Sequence, residues 1–401
     1  MSSFTKPPAF TEQELRGLGI AKWDQYGPDI LPAWVADMDL KTAPAVQAAV
    51  AKLASQASFG YPLRNGRSPD REVAEIYAER MHRLYNWKVD PENTLVVSDL
   101  VQSIYACLFA LSEKHSGIAV QTPNYPPFRA AIEATNRHMI SIPAEMVDGA
   151  YHWNFGGSMD DCLRDAKILI VCNPQNPTGR VLTRNELQDI AAFAERYNLI
   201  ILADEIHADL VYDARKHIPI ASLDDAVAQR TITLASATKS FSIAGLRCGL
   251  INFGSAELRR KFAAKIPPQM LGQPSIVGID ATIAAWTESD DWLANTVGYL
   301  TDMRDYAHKA IRERIPLLDP GIPEGTYLMW IDCTRLLLNE SASQFFLKKA
   351  KIMLSAGETF EPGATNFVRL NFATSREILD AIIDRMANAV CLLHGGGQLN
   401  V

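Results

Sequence analysis

The chain has little that would place it in a membrane, in an oxidising compartment or on nucleic acid. No apolar run approaches bilayer-spanning length, and the opening residues Met1-Ser2-Ser3-Phe4-Thr5-Lys6-Pro7-Pro8 carry no apolar signal core. The six cysteines (Cys107, Cys162, Cys172, Cys248, Cys333 and Cys391) show no C-x-x-C spacing. Several lie in apolar runs, which favours buried free thiols over disulfides or zinc ligands, so no metal site is expected. Basic residues are outnumbered, 39 Lys and Arg against 46 Asp and Glu. The resulting net charge of −7 lacks the basic footprint of a nucleic-acid or acidic-membrane binder, and it does not exclude a local cationic pocket. No internal repeat is evident, and the cytoplasm is the expected compartment.

The composition, 48% hydrophobic and 21% charged over 401 residues, is that of a globular chain able to bury a large core. Strand-like runs occur at Thr94–Val97, Gly117–Gln121, Ile140–Pro143, Lys167–Val171, Leu199–Ala203, Thr231–Ala235 and Arg247–Phe253. Helical periodicity lies between them; over Asn185–Tyr197, for example, Leu187, Ile190, Ala191 and Phe193 recur at helix spacing. The alternation predicts an α/β fold with a seven-stranded, mostly parallel sheet covered on both faces. After about Ser289 the pattern changes to a long helix, three short strands and a last helix from Ser375, which reads as a smaller α+β unit. The expected division is an N-terminal arm (1–45) packing on the small unit, a large domain (46–288) and a small C-terminal domain (289–401).

Lys239 follows the strand-like run Thr231–Ala235, a position where such sheets present ligand-binding loops. Arg247 lies eight residues later, and Asp204 ends the buried run Leu199–Ala203 thirty-five residues earlier. An amine, a carboxylate and a hydroxyl–guanidinium set are what pyridoxal 5′-phosphate (PLP) requires at its aldehyde, its pyridinium nitrogen and its phosphate. Each residue also has a plain reading: a solvated lysine, or an acidic helix cap. Asn176, in Asn173-Pro174-Gln175-Asn176-Pro177-Thr178-Gly179, belongs to a rigid loop that is either a tight turn or a fixed amide donor. Tyr125 is either a core tyrosine or a stacking partner for a ring. Leu100-Val101 opens a helix whose N–H groups could receive phosphate, although no glycine is present. Arg369, inside the apolar run Asn366–Phe372, needs an anion, either a structural Asp or Glu or the α-carboxylate of an amino acid.

Assembled, these residues resemble fold-type I PLP-dependent enzymes of the aspartate aminotransferase superfamily, over about Lys22 to Met386. Two segments, Leu31-Pro32-Ala33-Trp34-Val35-Ala36-Asp37-Met38-Asp39 and Asp204-Glu205-Ile206-His207-Ala208-Asp209, narrow the resemblance. They point to the cysteine–sulfur lyase branch with its MalY- and PatB-like cystathionine β-lyases. General aminotransferases usually carry Tyr where His207 stands.

The resemblance implies Lys239 as Schiff-base lysine and proton carrier. It also implies Asp204 at the pyridine nitrogen with His207 nearby, Asn176 at the phenolic oxygen and Tyr125 on the ring. Ser236, Arg247, Leu100 and Val101 would hold phosphate, and Arg369 with the Ala36 backbone would receive the substrate carboxylate. Tyr61 would reach across the interface of a homodimer with shared active sites. Three features depart from the family pattern: Ser98-Asp99 replaces a Pro-Gly pair, Gln175 replaces a histidine, and Glu361, Ala364 and Asn366 replace glycines. Asp99, Gln175, Glu361 and Asn366 suggest a polar or bulky distal group on the substrate.

The expected activity is β-elimination from an S-substituted L-cysteine. Transamination, a specialised decarboxylation or oxidative deamination, and a PLP-binding regulator remain the alternatives.

Overall fold

The computed structural model describes residues 6–57, 59–156 and 159–393. Its main sheet has eight strands, one more than the sequence pattern predicts. In chain order they are β1 (Thr94–Val97), β2 (Gly117–Thr122), β3 (His138–Val147), β4 (Ala150–Trp153), β5 (Ala166–Cys172), β6 (Ile200–Asp204), β7 (Thr231–Ala235) and β8 (Gly249–Phe253). Their spatial order is β1-β8-β7-β6-β5-β2-β3-β4. Pairs β7–β6, β6–β5, β5–β2 and β2–β3 are parallel, whereas β8 and β4 run antiparallel to their neighbours. The extra strand, β4, closes a hairpin on β3 through Asp148-Gly149, both with positive φ (51° and 79°). That dipeptide is the common signature of a tight hairpin turn. Short, half-polar Ala-Tyr-His-Trp gives little strand signal by itself.

Strands β2, β5, β6 and β7 are buried almost throughout, as expected of parallel strands covered on two faces. Their order reverses direction between β2 and β5, so the loops leaving those two strands diverge and open a crevice at their carboxyl ends. Tyr125 follows β2, Asn176 follows β5, Asp204 ends β6 and Lys239 follows β7. The register pairs Cys172 with Asp204 and Asp204 with Leu234, which brings the strand ends to one edge.

A second, four-stranded antiparallel sheet runs Asp319–Pro320, Leu328–Asp332, Phe367–Asn371, Ser355–Ala356, and places Trp330 and Ser355 on either side of Arg369. It shares one hydrophobic core with the helices Asp290–Arg314 and Arg376–Leu393, including Leu300, Met303, Ile382 and Met386. Leu15, Trp23, Leu31 and Leu40 enter the same core, so the N-terminal segment packs on this unit. A buried ion pair, Lys22 to Asp39 at 2.8 Å, reinforces the attachment, and the Trp23 indole N–H also donates to Asp39. All six cysteines are free, with Cys107, Cys172, Cys248 and Cys333 buried. Among the described residues no helix is long and apolar enough to cross a membrane.

Candidate active site

Lys239 is presented by the turn after β7, where Thr238 N–H donates to Ser236 Oγ (3.1 Å) and Phe241 N–H donates to the Ala237 carbonyl (3.0 Å). Its Nζ donates to the Ala36 carbonyl at 2.6 Å. Burial pushes the amine below its ordinary pKa, Arg369 and Arg247 add to this, and Asp37 and Asp204 act against it. A lysine held in this way is easier to deprotonate than a surface lysine, as an amine nucleophile and base requires.

The short segment 34–37 is the frame of the site. Tyr327 Oη donates to the Ala36 carbonyl (3.0 Å), and Asn371 Nδ2 donates to the carbonyls of Val35 (2.7 Å) and Asp37 (2.6 Å). Ser355 Oγ and Arg369 Nη2 both donate to the Trp34 carbonyl, at 2.7 and 2.8 Å. The cationic groups of Lys239 and Arg369 are therefore anchored two residues apart on one piece of backbone.

Arg369 is 5% exposed and lies over the Phe360 ring at 4.8 Å. Its other acceptors are neutral: Asn176 Oδ1 at 2.8 Å and Ser355 Oγ at 3.0 Å. Nε has no partner, and among the described residues no carboxylate forms an ion pair with it. The structural Asp or Glu that a buried guanidinium would call for is not there. Burial accordingly pushes its pKa down to about 10. A desolvated cation with an unused donor is a receptor for an anionic ligand.

Across the cavity, burial pushes Asp204 up to about 6, against one hydrogen bond from Ile206 N–H at 3.2 Å. Burial, with Lys239 and Arg369 adding to it, lowers His207 to about 3, so the imidazole is neutral; its Nδ1 is buried without a partner. Asn176 spends its oxygen on Arg369, which leaves its amide N–H groups as donors toward the cavity. Tyr125 stands at the start of the helix Pro126–Ala134, edge-on to Phe128.

Lys239, Asp204, Asn176, His207, Tyr125 and Arg369 line one cavity of about 200 Å³ together with Trp34, Val35 and Ala36. A second cavity of about 270 Å³ shares Leu100, Val101, Tyr125, Ile206 and Lys239 with it and is lined in addition by Asp99, Ser236 and Arg247. Leu100 and Val101 are the first two residues of the helix Leu100–Leu111, whose leading N–H groups have no acceptor within the helix. Ser236 donates its own proton to the Cys248 carbonyl at 2.6 Å, so toward an anion it must reorient. Tyr61 is fully exposed and lines neither cavity.

The donor set fits PLP from end to end. Unpaired N–H groups and a guanidinium stand at one end, an amine lies in the middle, and a buried carboxylate and amide donors stand at the other. Gln175 needs a different reading from the sequence-based one, because it ties its own loop, donating to the Pro123 carbonyl (2.7 Å) and accepting from Thr178 N–H (2.8 Å). Gln175, Glu361, Ala364 and Asn366 line neither cavity, so among the residues that depart from the family pattern Ser98 and Asp99 face the site, and Asp99 alone of them carries a charge there. Tyr327, Asn371 and Ser355 went unread in the sequence. Their one visible signal was a buried polar residue, Asn371, ending an apolar strand.

The family model for aminotransferase class I and II matches residues 35–386. The chain belongs to that family. Within it, the chain is 31% identical over 386 residues to cystathionine beta-lyase PatB of Bacillus subtilis, covering 94% of this chain and 98% of PatB. Among solved structures, cystalysin from Treponema denticola, which contains PLP, aligns with a TM-score of 0.88 at 26% identity over 98% of this chain and 100% of that one. A PLP-bound C–S lyase from Staphylococcus hominis aligns with a TM-score of 0.85 at 26% identity, over 94% of this chain and 97% of that one. A PLP-bound C–S lyase thus has the same fold as this chain.

Proposed function

We propose that the protein is a PLP-dependent carbon–sulfur lyase that carries out β-elimination on an S-substituted L-cysteine, releasing a thiol, pyruvate and ammonia. The observation that carries this reading is Arg369: a buried guanidinium with no carboxylate partner, anchored on the same backbone segment as the buried amine of Lys239. An amino acid placed with its α-carboxylate on Arg369 would bring its Cα toward that amine. PatB, named a cystathionine beta-lyase, supports the choice of sulfur substrate.

When bound, PLP supplies a sink for the electrons of the Cα–H bond. The protein's residues do the rest. Leu100 and Val101 N–H groups, Ser236 and Arg247 would hold the phosphate, Tyr125 would cover the ring, Asn176 would donate to the phenolic oxygen, and Asp204 would serve the ring nitrogen. His207, neutral, would add an uncharged donor or acceptor beside it. Arg369 and the Ala36 backbone fix the substrate carboxylate so that Lys239 can remove the α-proton. As the Cα–Cβ double bond forms, the β-thiolate would leave with the C–S electron pair and take up a proton, and water would hydrolyse the released enamine to pyruvate and ammonia. In one chain Phe59, Tyr61 and Leu63 are exposed, at 63%, 100% and 71%. We assign this apolar loop to the interface of a homodimer, with Tyr61 serving the partner's site, and the cytoplasm as the compartment.

Purified holoenzyme given a panel of S-substituted L-cysteines should release thiol and pyruvate in a 1:1 ratio without an amino acceptor. A keto acid formed only when an acceptor is added would assign transamination instead, and carbon dioxide would assign decarboxylation.

A further inference from the structure

The phosphate end of the cavity carries a carboxylate that an anion-binding site does not require. Asp99 caps the helix Leu100–Leu111, accepting from Gln102 N–H at 2.9 Å, and its other oxygen pairs with Arg247 Nη1. Both side chains line the 270 Å³ cavity into which the first N–H groups of that helix open. Arg247 sits in the left-handed backbone region, with φ of 54°, an uncommon conformation for a long side chain. The turn that holds it there is backed by Gly278, where an added Cβ would meet the Leu246 carbonyl oxygen at 2.2 Å. The guanidinium is thus delivered to the cavity already balanced by a charge from the chain itself.

Building on the reading of this site as a PLP site, we propose that Asp99 is an internal counter-anion that occupies Arg247 and weakens the hold on the cofactor phosphate, so that the cofactor exchanges with solution. An incoming phosphate must share Arg247 with a carboxylate at the same helix N-terminus, and the two anions repel. The Asp99 and Arg247 side chains are 29% and 66% exposed, so water and salt screen much of that repulsion. The expected penalty is therefore about tenfold in affinity, equivalent to about 1.4 kcal/mol. The consequence is regulatory: the fraction of active protein follows the free PLP concentration instead of being fixed once the chain has folded.

Asp99→Asn tests this, because asparagine keeps the cap to Gln102 and removes only the charge. Apo wild type and apo D99N would be titrated with PLP and, separately, with pyridoxal, following protein fluorescence and visible absorbance. D99N should bind PLP about tenfold more tightly, with the gain shrinking in ~1 M salt, while pyridoxal, which has no phosphate, binds both proteins equally. Equal or weaker PLP binding by D99N, or the same gain for pyridoxal, would overturn the inference and leave the cofactor reading intact. If neither protein bound PLP, the cofactor reading itself would fall, and this inference with it.

Discussion

Replacing Asp204 with asparagine should make the apoprotein more stable while weakening its grip on PLP. The Asp204 carboxyl is buried at the end of β6, with one backbone hydrogen bond and no cationic hydrogen-bond partner, and burial raises it from an ordinary 3.8 to about 6. A carboxyl raised in the folded state favours folding while protonated, so its contribution is complete below about pH 4 and is lost as pH rises through about 6. A rise of roughly two pKa units corresponds to about 3 kcal/mol once the group is ionised in both states. Asparagine cannot ionise and does not incur this loss. The stability advantage of D204N should therefore grow with pH, from about half its full size at pH 5 to about 3 kcal/mol at pH 8. For a chain of 401 residues, 3 kcal/mol at the midpoint is a rise in Tm of about 3–4 °C.

The assay is thermal unfolding of apo wild type and apo D204N at fixed protein concentration and scan rate between pH 5 and pH 8, beside a PLP titration. A D204N apoprotein no more stable than wild type at pH 8, or an advantage that shrinks as pH rises, would refute the claim that this carboxylate is held at an energetic cost for a cationic partner.

Three further outcomes follow from the same geometry. Arg369→Met removes a buried cation that has no acidic partner, so KM for the amino-acid substrate should rise at least about a hundredfold, on the order of 3 kcal/mol, with no loss of apoprotein Tm; a large drop in Tm with unchanged KM would make Arg369 a structural cation. Asn371→Ala frees the Val35 and Asp37 carbonyls and should lower kcat/KM about tenfold or more by loosening the frame around Lys239, seen in steady-state kinetics together with a changed visible spectrum. Gly278→Ala drives a methyl group into the Leu246 carbonyl, which should cost about 1–3 kcal/mol of stability and weaken PLP binding through Arg247, measurable by unfolding and by cofactor titration.

Much of the fold could be read from the sequence, because parallel strands buried on both faces appear as uninterrupted apolar runs. Strand β4 was missed because four half-polar residues carry no such signal, although Asp148-Gly149 marks the turn before it. The residues at the strand ends were equally readable: Lys239, Asp204, Asn176 and Tyr125 each follow or end a buried strand, and chemistry-bearing residues at those points stand out. Tyr327, Asn371 and Ser355 could not be found this way. They act by holding carbonyls of residues 34–37, roughly three hundred positions away in the chain, and an ordinary-looking side chain gives no hint of such a partner. Gln175 shows the opposite error, since an unusual residue beside the site turned out to tie its own loop.

The most direct test of the account is where the cofactor is attached. Borohydride reduction of the holoprotein, followed by proteolysis and mass mapping, should fix a phosphopyridoxyl group on the peptide containing Lys239, and Lys239→Ala should abolish both the adduct and thiol release. An adduct on a different lysine, or full turnover in the K239A protein, would contradict it.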